Sequence, residues 1–144
     1  MVTVEFASAD DMMSLAQLFE ELMGEKPDLS KMSENFKLIA ANPDYILLTA
    51  KVDGQVAGSV MGIVCLDLVG KCRPFMVIEN VIVSSAYRGR GIGTLLMNEI
   101  ENIGRLRNCS YTMFVSAGHR KEAHQFYKGC GYDLDLVQGF KKYL

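Results

Sequence analysis

The sequence contains no tryptophan, only three prolines and two histidines, and no CxxC pair. No apolar run approaches the ~18 residues that a membrane-spanning helix needs. The N-terminus, "MVTVEFASADD", has neither the basic start nor the apolar core of a signal peptide. These absences predict a soluble, cytoplasmic protein with no membrane partner. The four cysteines (Cys65, Cys72, Cys109, Cys130) follow no Cys/His metal spacing. They are expected to be reduced, partly buried thiols in a reducing compartment, with no metal to hold. The basic residues form no long run, so nothing recommends a nucleic-acid partner. No repeat, low-complexity segment or linker breaks the 144 residues, so one domain, 1–144, is expected.

What is present is ordinary globular composition, 49% apolar and 22% charged. The net charge of −2 hides an asymmetry. Residues 1–70 carry four basic and eleven acidic side chains, net −7, and residues 71–144 carry eleven and six, net +5. An acidic half suits a cationic ligand and a basic half suits phosphate. The halves of a chain also interleave in space, and both readings stay open here.

Periodicity orders the elements. "VTVEFA" alternates as a strand. "SADDMMSLAQLFEELMG" opens on capping residues, Ser8 and Asp10. It places Met12, Leu15, Leu18, Phe19 and Leu22 at helical spacing and ends at Gly24. "SENFKLIAANP" is a shorter helix stopped at Asn42-Pro43. "YILLTAKVDGQVAGSVMGIVCLDL" reads as two strands about Asp53-Gly54, a strong hairpin signal. "FMVIENVIV" is a further strand. A helix follows with Ile92, Leu95, Leu96, Ile100 and Ile103 on one stripe. "SYTMFVS" is a strand and "RKEAHQFYKGC" a helix. "YDLDLVQGFKKYL" supplies one or two last strands. This order predicts an α/β protein with a mixed sheet and helices on its faces.

Between the strand ending at Val83 and the next helix lies "YRGRGIGT", with Gly89, Gly91 and Gly93 beside Arg88 and Arg90. The first amides of a helix lack partners and point out at the positive end of its dipole, and glycines let a ligand approach. Phosphate binding is natural there. A Walker loop needs GxxxxGK[ST], and from Gly89 the sixth position is Thr94. A dinucleotide loop needs GxGxxG, and three residues after Gly91 again stands Thr94. Both common nucleotide loops are excluded by spacing.

Arg88-x-x-Gly91-x-Gly93 resembles the [RQ]xxGx[GA] coenzyme A loop of the GNAT superfamily of N-acetyltransferases. "EAHQFYKGCGY", Glu122 to Tyr132, is similar to that family's second signature. The two signatures lie in the family's order, and the resemblance is clear over residues 76–133. It implies a mostly antiparallel six- to seven-stranded sheet with a central splayed parallel pair and about four flanking helices. It implies an acetyl-CoA cosubstrate, with the pyrophosphate on the amides of Arg88, Gly89, Arg90, Gly91, Ile92, Gly93 and Thr94. The pantetheine arm would pair with main-chain groups of Val81, Ile82 and Val83, as an added strand does.

The resemblance further implies that Tyr127 stands beside the sulfur and protonates the departing thiolate, which a phenol's pKa near 10 suits. The residues alone also allow Tyr127 a core role. Glu79 interrupts an apolar strand. It is either the base that takes the amine's proton or a charge on a solvent-facing or arginine-paired position. Asn80 should point to the opposite face from Glu79. The oxyanion donor would be an unidentified backbone N–H within Glu79–Val81. Arg120 stands where the family commonly has asparagine; it could reach a phosphate, and the amide contact is lost. His124 is expected to be exposed rather than catalytic.

The implied activity is direct transfer of acetyl from acetyl-CoA to a primary amine in a ternary complex, since no cysteine holds a motif position. A small-molecule acceptor is expected. Glu20, Glu21, Glu25 and Asp28 would attract its cation. The alternatives are acetylation of a protein N-terminus or lysine, and a non-catalytic coenzyme A-binding regulatory module. Homodimers through the final strand are frequent in the superfamily, and a homodimer is one expected assembly.

Overall fold

The computed structural model describes residues 1–144. Its elements are β1 (Val2–Phe6), α1 (Met12–Met23), α2 (Leu29–Ala41), β2 (Tyr45–Val52), β3 (Gln55–Cys65), β4 (Phe75–Val83), α3 (Ile92–Leu106), β5 (Thr112–Met113) and α4 (Lys121–Gly129). The chain divides into two units, Met1–Met113 and Phe114–Leu144.

In the first unit the strands run in sheet order β1-β2-β3-β4-β5. Neighbours are antiparallel up to β4, and β4–β5 is parallel. The β2–β3 hairpin turns at Asp53 and Gly54, both at positive φ (48° and 83°), as a two-residue turn demands. Leu15 and Leu18 of α1 pack with Ile82 on one face of the sheet. Gly24 takes φ 80° and closes α1. Asp28 caps α2 by accepting from the Lys31 amide at 3.1 Å, which starts that helix earlier than Ser33. Lys51 of β2 reaches Glu5 at 2.6 Å and Asp11 at 3.0 Å. Burial alone would raise the Asp11 pKa, but the Ser8 amide and the Lys51 ammonium together hold it below the usual carboxylate value.

The other sheet face is covered by α3, which buries Ile92, Leu96, Met97, Ile100 and Gly104. Leu95, expected on that stripe, is exposed, because the buried face follows the i, i+4 row from Ile92. The helix lies very close to β3. A Cβ at Gly62 would stand 2.8 Å from Ile100 Cδ1, and one at Gly58 would stand 2.9 Å from the carbonyl oxygen of Ile82.

β4 breaks its own alternation. Met61 pairs with Glu79 and Ser59 with Ile82, so Asn80 and Val81 together oppose Val60. Asn80 takes φ 56°. This is a β-bulge, and it inverts the facing of the rest of the strand. Met76 lies under α3, near the Cβ positions of Gly62 and Gly104, and Ile82 lies under α1. The simple rule that set Asn80 opposite Glu79 therefore fails here: both side chains are exposed.

Two other expectations are corrected. "SYTMFVS" yields only Thr112–Met113 as a strand, laddered to Met76 and Val77. The parallel pair thus stands at the sheet's edge rather than its centre. "YDLDLVQGFKKYL" holds no strand at all, so the sheet has five strands rather than six or seven. Alternation supplies a sheet face, but a strand also needs a ladder partner, and the β4–β5 ladder stops at Met113.

The second unit contains α4. Phe114 meets Tyr127 and Tyr132 edge-on, with centroids 4.4 and 4.8 Å apart.

Replacing Gly58 by alanine should destabilise the protein by about 1–3 kcal/mol, since a backbone carbonyl in the neighbouring strand cannot swing away. Denaturant unfolding of Gly58→Ala measures this, and an unchanged midpoint would mean the contact relaxes freely.

Candidate active site

Most of β4 has one ladder where the sheet interior would give two. Beyond Val77 no β5 residue pairs with it, yet the strand continues to Val83. On the β3 side the Ser84 amide donates to the Ala57 carbonyl at 2.8 Å. By the alternation of an antiparallel ladder, Ile82 also turns its peptide groups toward β3, while Val81 and Val83 turn theirs to the opposite edge. Of Val81, Ile82 and Val83, that alternation leaves Val81 and Val83 facing the edge without a β5 partner.

The chain then passes Ser85–Tyr87 in a single 3-10 turn and enters the glycine loop. Gly89 and Gly91 both take φ 77°, and nothing lies within 4 Å of a Cβ built on either. These glycines are required by backbone conformation rather than by crowding. Gly91 is the N-cap of α3 and no side chain caps it. The first helical bond runs from the Leu95 amide to the Gly91 carbonyl at 3.1 Å. The amides of Ile92, Gly93 and Thr94 thus have no partner in the chain. The Ile92 side chain is buried, so only its amide can serve a ligand. These orphaned donors, at the positive end of a 15-residue helix, fit a pyrophosphate.

The two arginines differ. Arg90 sits over the Tyr87 ring, 5.3 Å from its centroid, and forms no ion pair, so its guanidinium remains available to an anion. Arg88 folds back: its Nε donates to the Val83 carbonyl at 3.1 Å and its Nη2 to Glu21 Oε1 at 3.2 Å. Glu21, one of the acidic residues expected to attract a cation, is engaged by the loop. Asp28 is likewise engaged, as the cap of α2. The link between Glu21 and the loop spans 67 positions, and no local pattern could have signalled it.

Glu79 stands opposite Met61 on the sheet face that carries α1, exposed and without hydrogen bond or ion pair. Its carboxylate is free to accept a proton or hold an ammonium. A cavity of about 590 Å³ bordered by Met12, Phe36 and Lys37 includes none of these residues.

In the second unit Arg120 is the N-cap of α4, and Tyr127 is its one buried residue, 5% exposed. The Tyr127 hydroxyl makes no hydrogen bond within the chain. Burial pushes its pKa above the ordinary phenol value, with the charge of Arg120 pulling back and Cys130 adding to the rise. The phenol is therefore held as O–H at neutral pH, the form a proton donor needs. His124 is half-buried rather than exposed, with Nε2 2.9 Å from the Ala117 carbonyl oxygen.

A glucosamine 6-phosphate N-acetyltransferase of Oryza sativa subsp. japonica is 28% identical over 104 residues, 71% of this chain and 61% of the rice protein. The alignment thus spans less than two thirds of that relative's length. A putative acetyltransferase of Agrobacterium tumefaciens str. C58 superposes with a TM-score of 0.91 over 99% of both chains at 24% identity. The aminoglycoside acetyltransferase AAC(6')-Iy, solved with a bisubstrate analogue, CoA-S-monomethyl-acetylneamine, superposes with a TM-score of 0.83 at 16% identity, over 100% of this chain and 99% of that one. Residues 12–132 match the Acetyltransferase (GNAT) family, and the chain belongs to that family.

Proposed function

We propose that the whole chain, 1–144, works as one N-acetyltransferase domain that moves acetyl from acetyl-CoA directly to the primary amine of a small molecule. The observation that carries this is the run of unpaired main-chain donors along the free edge of β4 and into the start of α3. The family match supports the single domain because it runs through both units. The names of the rice and aminoglycoside relatives support an amino sugar or related amine as acceptor.

Val81 and Val83 present peptide groups to the pantetheine arm, and the amides of Ile92, Gly93 and Thr94 hold the pyrophosphate, with Arg90 adding charge. Glu79 takes the proton of the ammonium, directly or through water, because only a neutral amine has a lone pair. The amine nitrogen then attacks the thioester carbonyl carbon. The Val81 amide, aimed at the free edge beside the bulge, stabilises the developing oxyanion. As the carbon–sulfur bond breaks, Tyr127 gives its proton to the sulfur, and the second proton lost by the attacking nitrogen passes through water to restore the Tyr127 phenol, so the products are a neutral amide and free CoA. A covalent route through cysteine has little support: burial pushes the Cys109 thiol above its usual pKa, and no cysteine lies in β4 or the glycine loop.

Titration with acetyl-CoA, CoA and NAD, followed by thiol release with a panel of amines, tests the proposal. Binding of both CoA forms and turnover with an amine are expected. Absence of CoA binding would reject it, and binding without turnover on any amine would favour a regulatory module. Gly91→Val should weaken CoA binding at least tenfold, because a β-branched residue resists φ 77° and its methyls enter the space the phosphates need. Affinity equal to wild type would remove the loop from the site.

Glu79→Gln should lower kcat/KM chiefly below the amine's pKa, and an unchanged pH profile would exclude Glu79 as base. Tyr127→Phe should lower kcat by about 10²-fold. It should also alter alkaline stability. Because the folded pKa of Tyr127 is raised, the phenol costs no stability below pH 10. Above it the unfolded chain ionises first, so stability falls as pH rises towards the folded value. Comparing wild-type and Tyr127→Phe melting between pH 8 and pH 11 isolates that decline, and parallel curves would show the shift is absent.

A further inference from the structure

One carboxylate oxygen gathers the start of the loop. Glu21 Oε1, on α1, accepts from the Ser85 amide at 2.8 Å and from Arg88 Nη2 at 3.2 Å. The same guanidinium donates through Nε to the carbonyl of Val83, the last residue of β4, at 3.1 Å. Three points of the chain are thereby tied together: the last turn of α1, the end of β4 and the entry to the glycine loop. The loop has little else to fix it. Arg88, Gly89, Arg90 and Gly91 are exposed, and nothing lies within 4 Å of a Cβ built on Gly89 or Gly91.

We propose that Glu21 is a positioning residue for coenzyme A: it latches Ser85 and Arg88 so that the α3 amides are preorganised before the phosphates arrive. The assignment changes the role of Arg88 as well. Two of its three guanidinium nitrogens are committed to protein oxygens, so its main work is to brace the loop. As a contribution to folding, an exposed ion pair of this kind is small. As preorganisation it matters more, because a loop that is already in its bound geometry loses less freedom on binding. The latch also joins two sides of the protein's chemistry. α1 also carries Glu20 and leads to Glu25, whose charges suit a cationic acceptor, and the loop that Glu21 grips serves the phosphates.

This inference rests on reading residues 88–94 as the coenzyme A loop, and its test separates the two. In the unliganded protein, amide hydrogen exchange at Ser85 through Gly91 should accelerate about tenfold in Glu21→Ala, with β3 and the middle of α3 unchanged. Unchanged exchange at Ser85 would overturn the latch whatever the loop binds. The dissociation constant for CoA should rise about tenfold in Glu21→Ala and less in Glu21→Gln, whose amide oxygen can still accept from Ser85. Turnover of S-acetylpantetheine, which lacks the pyrophosphate, should keep its wild-type kcat/KM in both variants. CoA affinity unaffected by Glu21→Ala would overturn the role in binding. An equal loss with S-acetylpantetheine would reduce Glu21 to a general structural residue and overturn it too. Failure of the wild type to bind CoA would instead remove the loop reading, and hydrogen exchange would still decide the latch.

Discussion

Everything proposed for this protein depends on β4 being a strand with one missing neighbour. A buried strand ordinarily satisfies its peptide groups on both sides, because an unpaired N–H or C=O away from water is costly. Here the ladder to β5 covers only Met76 and Val77, and β3 alone accompanies the rest. The bulge at Asn80 and Val81 adds a second effect. It lets Ile78 sit under α3 and Ile82 under α1, so the strand is anchored on both faces of the sheet while one edge stays free. A strand held by its side chains and free in its backbone is what a ligand that binds as an added strand requires.

That strand leads into a helix start, and the second requirement is that the helix be immobile. α3 meets this by closeness. Gly58 and Gly62 give it no side chains to rest on, so Leu96 and Ile100 approach the β3 backbone itself. The i, i+4 row Ile92–Leu96–Ile100–Gly104 is the contact. Hence the orphaned amides at Ile92, Gly93 and Thr94 point from a fixed place, and their dipole is aimed rather than averaged.

Legibility from sequence followed the range of the interaction. Gly24, Asp53-Gly54 and Gly91 were readable because turns and caps are decided within a few residues. Helices α1 and α3 and the hairpin β2–β3 were readable because periodicity repeats over a whole element. The glycine loop and Tyr127 were legible as residues in two matching signatures. The bulge was hidden, since "VIENVIV" contains no glycine and Asn80 adopts positive φ for reasons set by β3. The brevity of β5 and the missing last strands were hidden too. "SYTMFVS" and "YDLDLVQGFKKYL" have strand chemistry, but a ladder depends on a partner far away in sequence. Leu95 was misplaced because a stripe read from sequence is wider than the face that packs.

The acidic half of the chain shows the same limit in its electrostatics. Glu20, Glu21, Glu25 and Asp28 looked equivalent as charges around one helix. Two of them are answered by partners: Asp28 by the Lys31 amide and Glu21 by Ser85 and Arg88. Glu21 and Arg88 each belong to the half of the chain that carries their own sign, and they meet 67 positions apart. The −7 and +5 halves therefore meet at the loop. At the loop they neutralise each other locally, which leaves Arg90, stacked on Tyr87 and unpaired, as the loop's uncompensated positive charge. Under the proposed function, phosphate recognition there would fall to main-chain amides and one arginine rather than to two, a division of labour that net charge alone would have placed differently.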